Sequence, residues 1–224
     1  MTADPEHVRV IIDSYYAASD AQCTAGRAWY PFARTIVESI AEWADMRPEC
    51  VAAALAALSP RNPWAWNVQD AAAFARAAGE GEPMPTSATT FGANARTAWA
   101  MLTGTADWRT SAPKVRAFTS AIMGDQSAVV VDIWAIRVAT RGARDTVRND
   151  ADYDALASAY RAAAATLRHD HIRIAPRDLQ AVTWLQAQSA GVGSNRQSRH
   201  DRSLKRGTLP IVALLLTGQT ALGL

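Results

Sequence analysis

Apolar side chains return every three or four residues along most of this chain, the repeat that gathers them on one face of an α-helix. From His7 to Ala18 the stripe is Val8, Ile11, Ile12 and Tyr15; from Tyr30 to Trp43, after Gly26, it is Phe32, Ile36, Ile40 and Trp43. "RPECVAAALAALSP" predicts a helix with Pro48 in its first turn and a stop before Pro60. "NPWAWNVQDAAAFARAAG" starts another, with Asn62 as its cap, Pro63 behind it and Gly79 as its close. "GEGEPMPTSATT" is the longest loop, after which "ANARTAWAML", "DYDALASAYRAAAATL" and the span from Pro176 to Gln188 resume the helical repeat. The pattern predicts an all-α fold, a helical domain over residues 1–190 followed by a tail over 191–224.

The stretch from Trp108 to Gly142 departs from this plainness. "APKVRAFTSAIMGD" reads as a short helix with Val115, Phe118 and Ile122 on one face and Gly124 at its end. "QSAVVV" is extended by its β-branched residues but too short and isolated for a sheet. Asp132 then opens "IWAIRVATRG", where Ile133, Ile136 and Thr140 recur at helical spacing and Gly142 is the stop. A carboxylate ahead of a helix is a favoured N-cap, since it accepts a backbone N–H and sits at the positive end of the helix dipole. Asp132 therefore has a structural role before any chemical one is considered.

Composition narrows the class. Cys23 and Cys50 are too few for a disulfide framework and belong to no CxxC pair, which points to a reducing cytoplasm and leaves no cysteine set for zinc or an iron–sulfur cluster. "MTADPEHVRV" lacks the basic-then-apolar layout of a signal peptide. His7, His169, His171 and His200 show no metal-ligand spacing, so no metal or other cofactor is expected. Charge is uneven: the chain carries +2 overall, whereas Arg196, Arg199, Arg202, Lys205 and Arg206 stand against Asp201 alone after residue 190. This tail reads either as a solvated linker or as an arm that contacts phosphates without regard to sequence. The closing "TLPIVALLLTGQTALGL" is short for a membrane helix and holds Pro210, Gly218 and Gln219, so a docking segment is expected rather than an anchor.

"SAPKVRAFTSAIMGDQSAVVVDIWAIRVATR" resembles the signature of the helix-hairpin-helix DNA glycosylases, the superfamily of endonuclease III and the adenine and alkyl-base excision enzymes. "VAAALAALSPRNPWAWNVQDAA" looks like that family's helix leading into a DNA-probing loop, and "GANARTAWAML" like the helix that follows, so the likeness covers roughly residues 48–142. The chain is also similar to phage and actinobacterial proteins with the "LSPRNPWAWN" pattern. The resemblance implies two helical lobes, double-stranded DNA as partner, and the family's essential aspartate at Asp132. The lysine of its bifunctional members, 18 positions earlier, falls on Lys114. Three departures stand out, one of them the absence of the iron–sulfur cysteine cluster that some members carry. The family's glycine-x-glycine hairpin, whose N–H groups grip a phosphate, is here Thr110, Ser111 and Ala112 before Pro113; and "VDIW" stands in place of the frequent "VDTH".

The chemistry explains such an aspartate. Cleaving a base from deoxyribose passes through an oxocarbenium-like state that a nearby carboxylate stabilises, or it activates the attacking water. Lys114 would attack the sugar as an amine if deprotonated, and otherwise reads as a phosphate contact. A base in duplex DNA must first be flipped out and held between apolar or aromatic groups. Trp64, Trp66 and Trp134 are stacking candidates that could equally fill a helical core. Arg61 and Asn62 are candidates to enter the opened duplex, with Ser111, Arg137, Arg196 and Arg199 as further DNA contacts. Three function classes follow: a base-excision glycosylase, a phage-type base-modification enzyme on the same scaffold, and a DNA-binding protein without catalysis.

Overall fold

The computed structural model describes residues 3–191 except Ser87 and Thr89. It is all-α: nine α-helices and one 3-10 turn, with no strand among the described residues. The helices are α1 (Pro5–Tyr16), α2 (Asp20–Trp43), α3 (Pro48–Leu58), α4 (Trp64–Gly79), α5 (Gly92–Leu102), α6 (Pro113–Ile122), α7 (Ile133–Ala139), α8 (Asp150–His169) and α9 (Pro176–Ser189). The tail, with Arg196, Arg199 and the apolar segment after residue 207, lies outside the described residues. No described helix is long and apolar enough to cross a membrane.

Two compact units share the chain. Among the described residues, 3–31 and 120–191 form the first and 32–119 the second, so the division falls inside α2 at Pro31 and inside α6 at Thr119. The second unit is built around α3, which is buried on every side from Cys50 to Leu58 and packs against α4 and α5. Its alanines permit that close approach while retaining the best helix propensity. A β-carbon at Gly79, at the end of α4, would sit 2.0 Å from the Ala44 carbonyl oxygen, so only glycine fits there. In the first unit α1, α7, α8 and α9 pack on one another around Ile11, Leu156, Tyr160, Leu167 and Leu179, all fully buried.

Two sequence expectations are corrected. The helix anticipated from Tyr30 begins ten residues earlier, at Asp20, and runs through Gly26 and Pro31. Gly26 is not a breaker but a point of contact: a β-carbon there would come 2.5 Å from Val182 Cγ2 and 2.7 Å from its Cα on α9. Asn62 does not cap α4. Pro63 holds the cap position without a side-chain bond, and the Asn62 amide instead donates to Asp70 Oδ2 at 3.0 Å.

Candidate functional site

The sequence candidates divide between the two units. Asp132, Trp134 and Arg137 belong to the first; Arg61, Asn62, Trp64, Trp66, Ser111 and Lys114 belong to the second.

In the first unit, Ala128 to Val131 is a buried apolar run without helix or strand pairing. Tyr153 on α8 clamps it: its hydroxyl donates to the Val129 carbonyl at 3.1 Å and accepts from the Val131 N–H at 3.2 Å. The Asp132 N–H donates back to the Val130 carbonyl at 3.0 Å, a tight three-residue turn that swings the chain into α7. Asp132 is the N-cap of α7, its Oδ1 accepting the Ala135 N–H at 2.8 Å. The cap is thus as expected. The carboxylate is half-buried rather than sealed among the valines, and the exposed Ile133 follows it.

Behind Asp132 stand three buried tyrosines. Burial raises all three phenols, and the negative charge of Asp132 adds to it: Tyr153 is pushed up to about 12, and Tyr30 and Tyr160 are likewise held well above the ordinary phenol value. They stay neutral donors at any physiological pH. Tyr160 donates to the Ala135 carbonyl at 3.3 Å, at the same turn that Asp132 caps. Tyr30 donates to Gln180 Oε1 at 2.8 Å, and the Arg177 guanidinium lies 5.4 Å from the centre of the Tyr30 ring while donating to the Ala121 carbonyl at 2.9 Å. The loop and helix that carry Asp132 are therefore located by buried hydrogen bonds from Tyr153 and Tyr160 of α8, not by apolar packing alone.

Arg137 and Trp134 are engaged with each other and with the loop after α7. Arg137 makes a two-point ion pair with Asp145, at 2.7 and 3.0 Å, and its guanidinium lies over the Trp134 ring at 5.1 Å. Its side chain is only 12 % exposed. A guanidinium held this way braces α7 against the following loop.

In the second unit Arg61 adopts φ +57°, and its guanidinium lies 5.9 Å from the centre of the exposed Phe91 ring. The residue presents a cation and an aromatic face together at the surface. Trp64 and Trp66 occupy the first turn of α4, both half-buried, and the amide of the buried Asn67 next to them donates to the Leu55 carbonyl at 3.1 Å. The segment between α5 and α6 turns at Gly104 (φ +73°), passes through a 3-10 turn at Trp108–Thr110 and enters α6 at Pro113. Ser111 is extended, its hydroxyl donating to the Trp108 carbonyl at 2.6 Å, and Arg116 donates to the Ser111 carbonyl. No residue from 105 to 123 has positive φ, so the glycine nest absent from the sequence is not rebuilt by other residues there. Lys114 is half-buried in the first turn of α6.

The polar face of α9 was not singled out from the sequence, although Arg177, Gln180 and Thr183 recur every three residues. Tyr153 and Tyr160, seven apart and on one face of α8, gave a similar signal. Among the described residues no three His, Cys, Asp or Glu side chains gather as a metal site would require.

Residues 2–190 match the Family of unknown function (DUF7178), and the chain belongs to that family. No curated protein and no solved structure matches it.

Proposed function

We propose that this member of the family is a DNA glycosylase of the helix-hairpin-helix kind, which hydrolyses the N-glycosidic bond of an altered base flipped out of duplex DNA. The observation that supports it most is Asp132: a half-exposed carboxylate at a helix N-terminus, oriented by its own cap bond and by a turn that Tyr153 and Tyr160 hold in place. A carboxylate needed only as a cap would not require this second layer of buried donors around its turn.

In this reading Asp132 stabilises the positive charge that develops on the sugar as the base departs, or draws a proton from the attacking water. The neutral tyrosines hold its position and compete for no proton. Arg61, on its left-handed turn beside Phe91, is the residue suited to occupy a gap in the base stack, and Trp64, Trp66 and Trp134 are the stacking candidates. Lys114 follows the family spacing of the amine nucleophile. One observation favours the reading without catalysis: the turn before α6 offers no left-handed nest for a phosphate.

The test is a panel of duplexes, each carrying one altered base, read by alkaline cleavage with the wild-type protein and Asp132→Asn. We expect cleavage of at least one duplex by the wild type and a loss of about 10²-fold or more with Asp132→Asn, without loss of duplex binding. Full activity of Asp132→Asn would overturn the mechanism, and binding without cleavage of any duplex would leave the DNA-binding protein as the reading. On a cleaved substrate, borohydride should trap a covalent adduct that Lys114→Ala cannot form if the lysine attacks the sugar.

A further inference from the structure

Six arginines of the first unit are held in ion pairs, and Arg161 donates to the Ser127 carbonyl at 3.0 Å. Arg9 pairs with Glu6 and Asp13, Arg137 with Asp145, Arg141 with Glu6 and Asp13, Arg144 and Arg148 with Asp152, and Arg177 with Asp178. By contrast Arg27, Arg168, His171 and Arg173 form no ion pair among the described residues, and all four line a single open groove of about 740 Å³ with Gln126 and Asp178. Asp178 is the one carboxylate on that wall, and its charge is already offset by Arg177 Nε at 3.2 Å. Arg27 is steadied by donating to the Arg173 carbonyl at 2.7 Å, which ties α2 to the loop between α8 and α9.

His171 carries a second sign. It sits at φ +64° where α8 ends, with its N–H bonded to the Arg168 carbonyl (3.1 Å) and the next N–H, of Ile172, to the Leu167 carbonyl (2.9 Å). That paired closure ordinarily takes glycine at its left-handed position. Here an imidazole is kept at a steric cost, and it lines the groove.

We propose that this groove is a docking surface for the phosphate backbone of duplex DNA. The three guanidiniums of Arg27, Arg168 and Arg173 on an open wall, unmatched by carboxylates, suit a row of phosphates spaced along a strand, with the His171 ring as a further hydrogen-bonding group; a single free phosphate would call for an enclosed pocket with converging donors. The inference rests on the reading of the chain as a duplex-DNA-binding protein and extends it to a surface that the glycosylase resemblance does not assign.

The test uses the full chain and a labelled duplex, with affinity measured by fluorescence anisotropy across a salt series. Arg168→Gln with Arg173→Gln should weaken binding roughly 10-fold near 0.1 M salt and lower the slope of log affinity against log salt by about 2, whereas Arg9→Gln should change neither. His171→Gly should bind more weakly while melting no lower than the wild type, because glycine relieves the left-handed position. Affinity and slope like the wild type's in the double variant would overturn the proposal. So would saturable binding of inorganic phosphate, at constant ionic strength, that the double variant loses while its duplex affinity is unchanged. Repeating the series on Asp132→Asn separates the two ideas. A groove effect that persists there supports the surface whatever Asp132 does, and an inactive Asp132→Asn with no groove effect removes the surface alone.

Discussion

Helices α3 and α9 both begin at a proline and are both deeply buried, yet they are buried for different ends. Every residue of α3 from Cys50 to Leu58 is enclosed and none carries a polar side chain apart from the thiol of Cys50. Helix α9 encloses Leu179, Ala181, Val182 and Ala187, and with them Arg177, Gln180 and Thr183. Apolar burial drives folding without directing it finely, since one methyl contact substitutes readily for another. Buried hydrogen bonds accept few geometries, and a broken one is expensive. Helix α3 thus supplies cohesion to the second unit, whose buried Asn67 and Asp70 lie on α4. The first spends part of its interior on orientation, and the turn that carries Asp132 is among the things oriented.

The comparison can be broken most forcefully at α3. Leu55 is fully enclosed, and Leu55→Ala should cost about 2–5 kcal/mol of unfolding free energy, read from urea denaturation with an unchanged slope. A loss below about 1 kcal/mol would mean that α3 is not closely packed. Next in size is a buried charge of the first unit. Burial pulls the Asp152 carboxyl upward, but the Arg148 N–H and the Arg148 and Arg144 guanidiniums outweigh it and bring it down to about 2. Its ordinary value lies near 3.9, so the stability it contributes, about 2.5 kcal/mol, is complete above about pH 5 and is lost progressively as the pH falls from about 5 to 1. Asp152→Asn should therefore be less stable than the wild type at neutral pH, the gap closing as the pH falls toward about 1. A gap that stays constant across that range would show that the ion pairs do not carry the effect. Smaller again is Tyr30→Phe, which takes the donor from Gln180 and should cost about 1–2 kcal/mol. Adding Gln180→Met should recover part of that loss. Simple additivity would deny that the pair acts as a unit.

What could be read in the sequence was whatever neighbouring residues decide. The stripe of Phe32, Ile36 and Ile40, the proline start of α3 and the Asp132 cap all follow from side chains within a turn or two of each other. The misreadings have distant causes. Gly26 and Pro31 looked like punctuation because the reason for the glycine, the backbone of Val182, lies on α9 more than 150 positions away. Asn62 looked like a cap because its actual partner, Asp70, is two turns further on. The pairing of Arg137 with Asp145 could not be read either, since it depends on how the loop after α7 folds back. The unpaired cations of the groove were equally hidden. Arg27, Arg168 and Arg173 are ordinary surface residues in the sequence, and only the fold separates them from the arginines that found carboxylates.

The smallest effect concerns the residue where both uses of burial meet. Asp132 accepts the Ala135 N–H, and Asp132→Ala should lose about 1 kcal/mol because that N–H is left without its cap. Asparagine caps nearly as well as aspartate, so Asp132→Asn should stay within about 0.5 kcal/mol of the wild type, the residue being the charge's interaction with the short α7 dipole. The pair of variants then separates two questions that one variant confounds. Alanine removes both the bond and the charge; asparagine keeps the bond and removes the charge. Thermal melts of both, set beside the base-excision assay, should show stability following the bond and turnover following the charge. If asparagine melts as low as alanine, the negative charge is holding the fold together, and a loss of activity in either variant would then report on structure rather than on the sugar's developing cation.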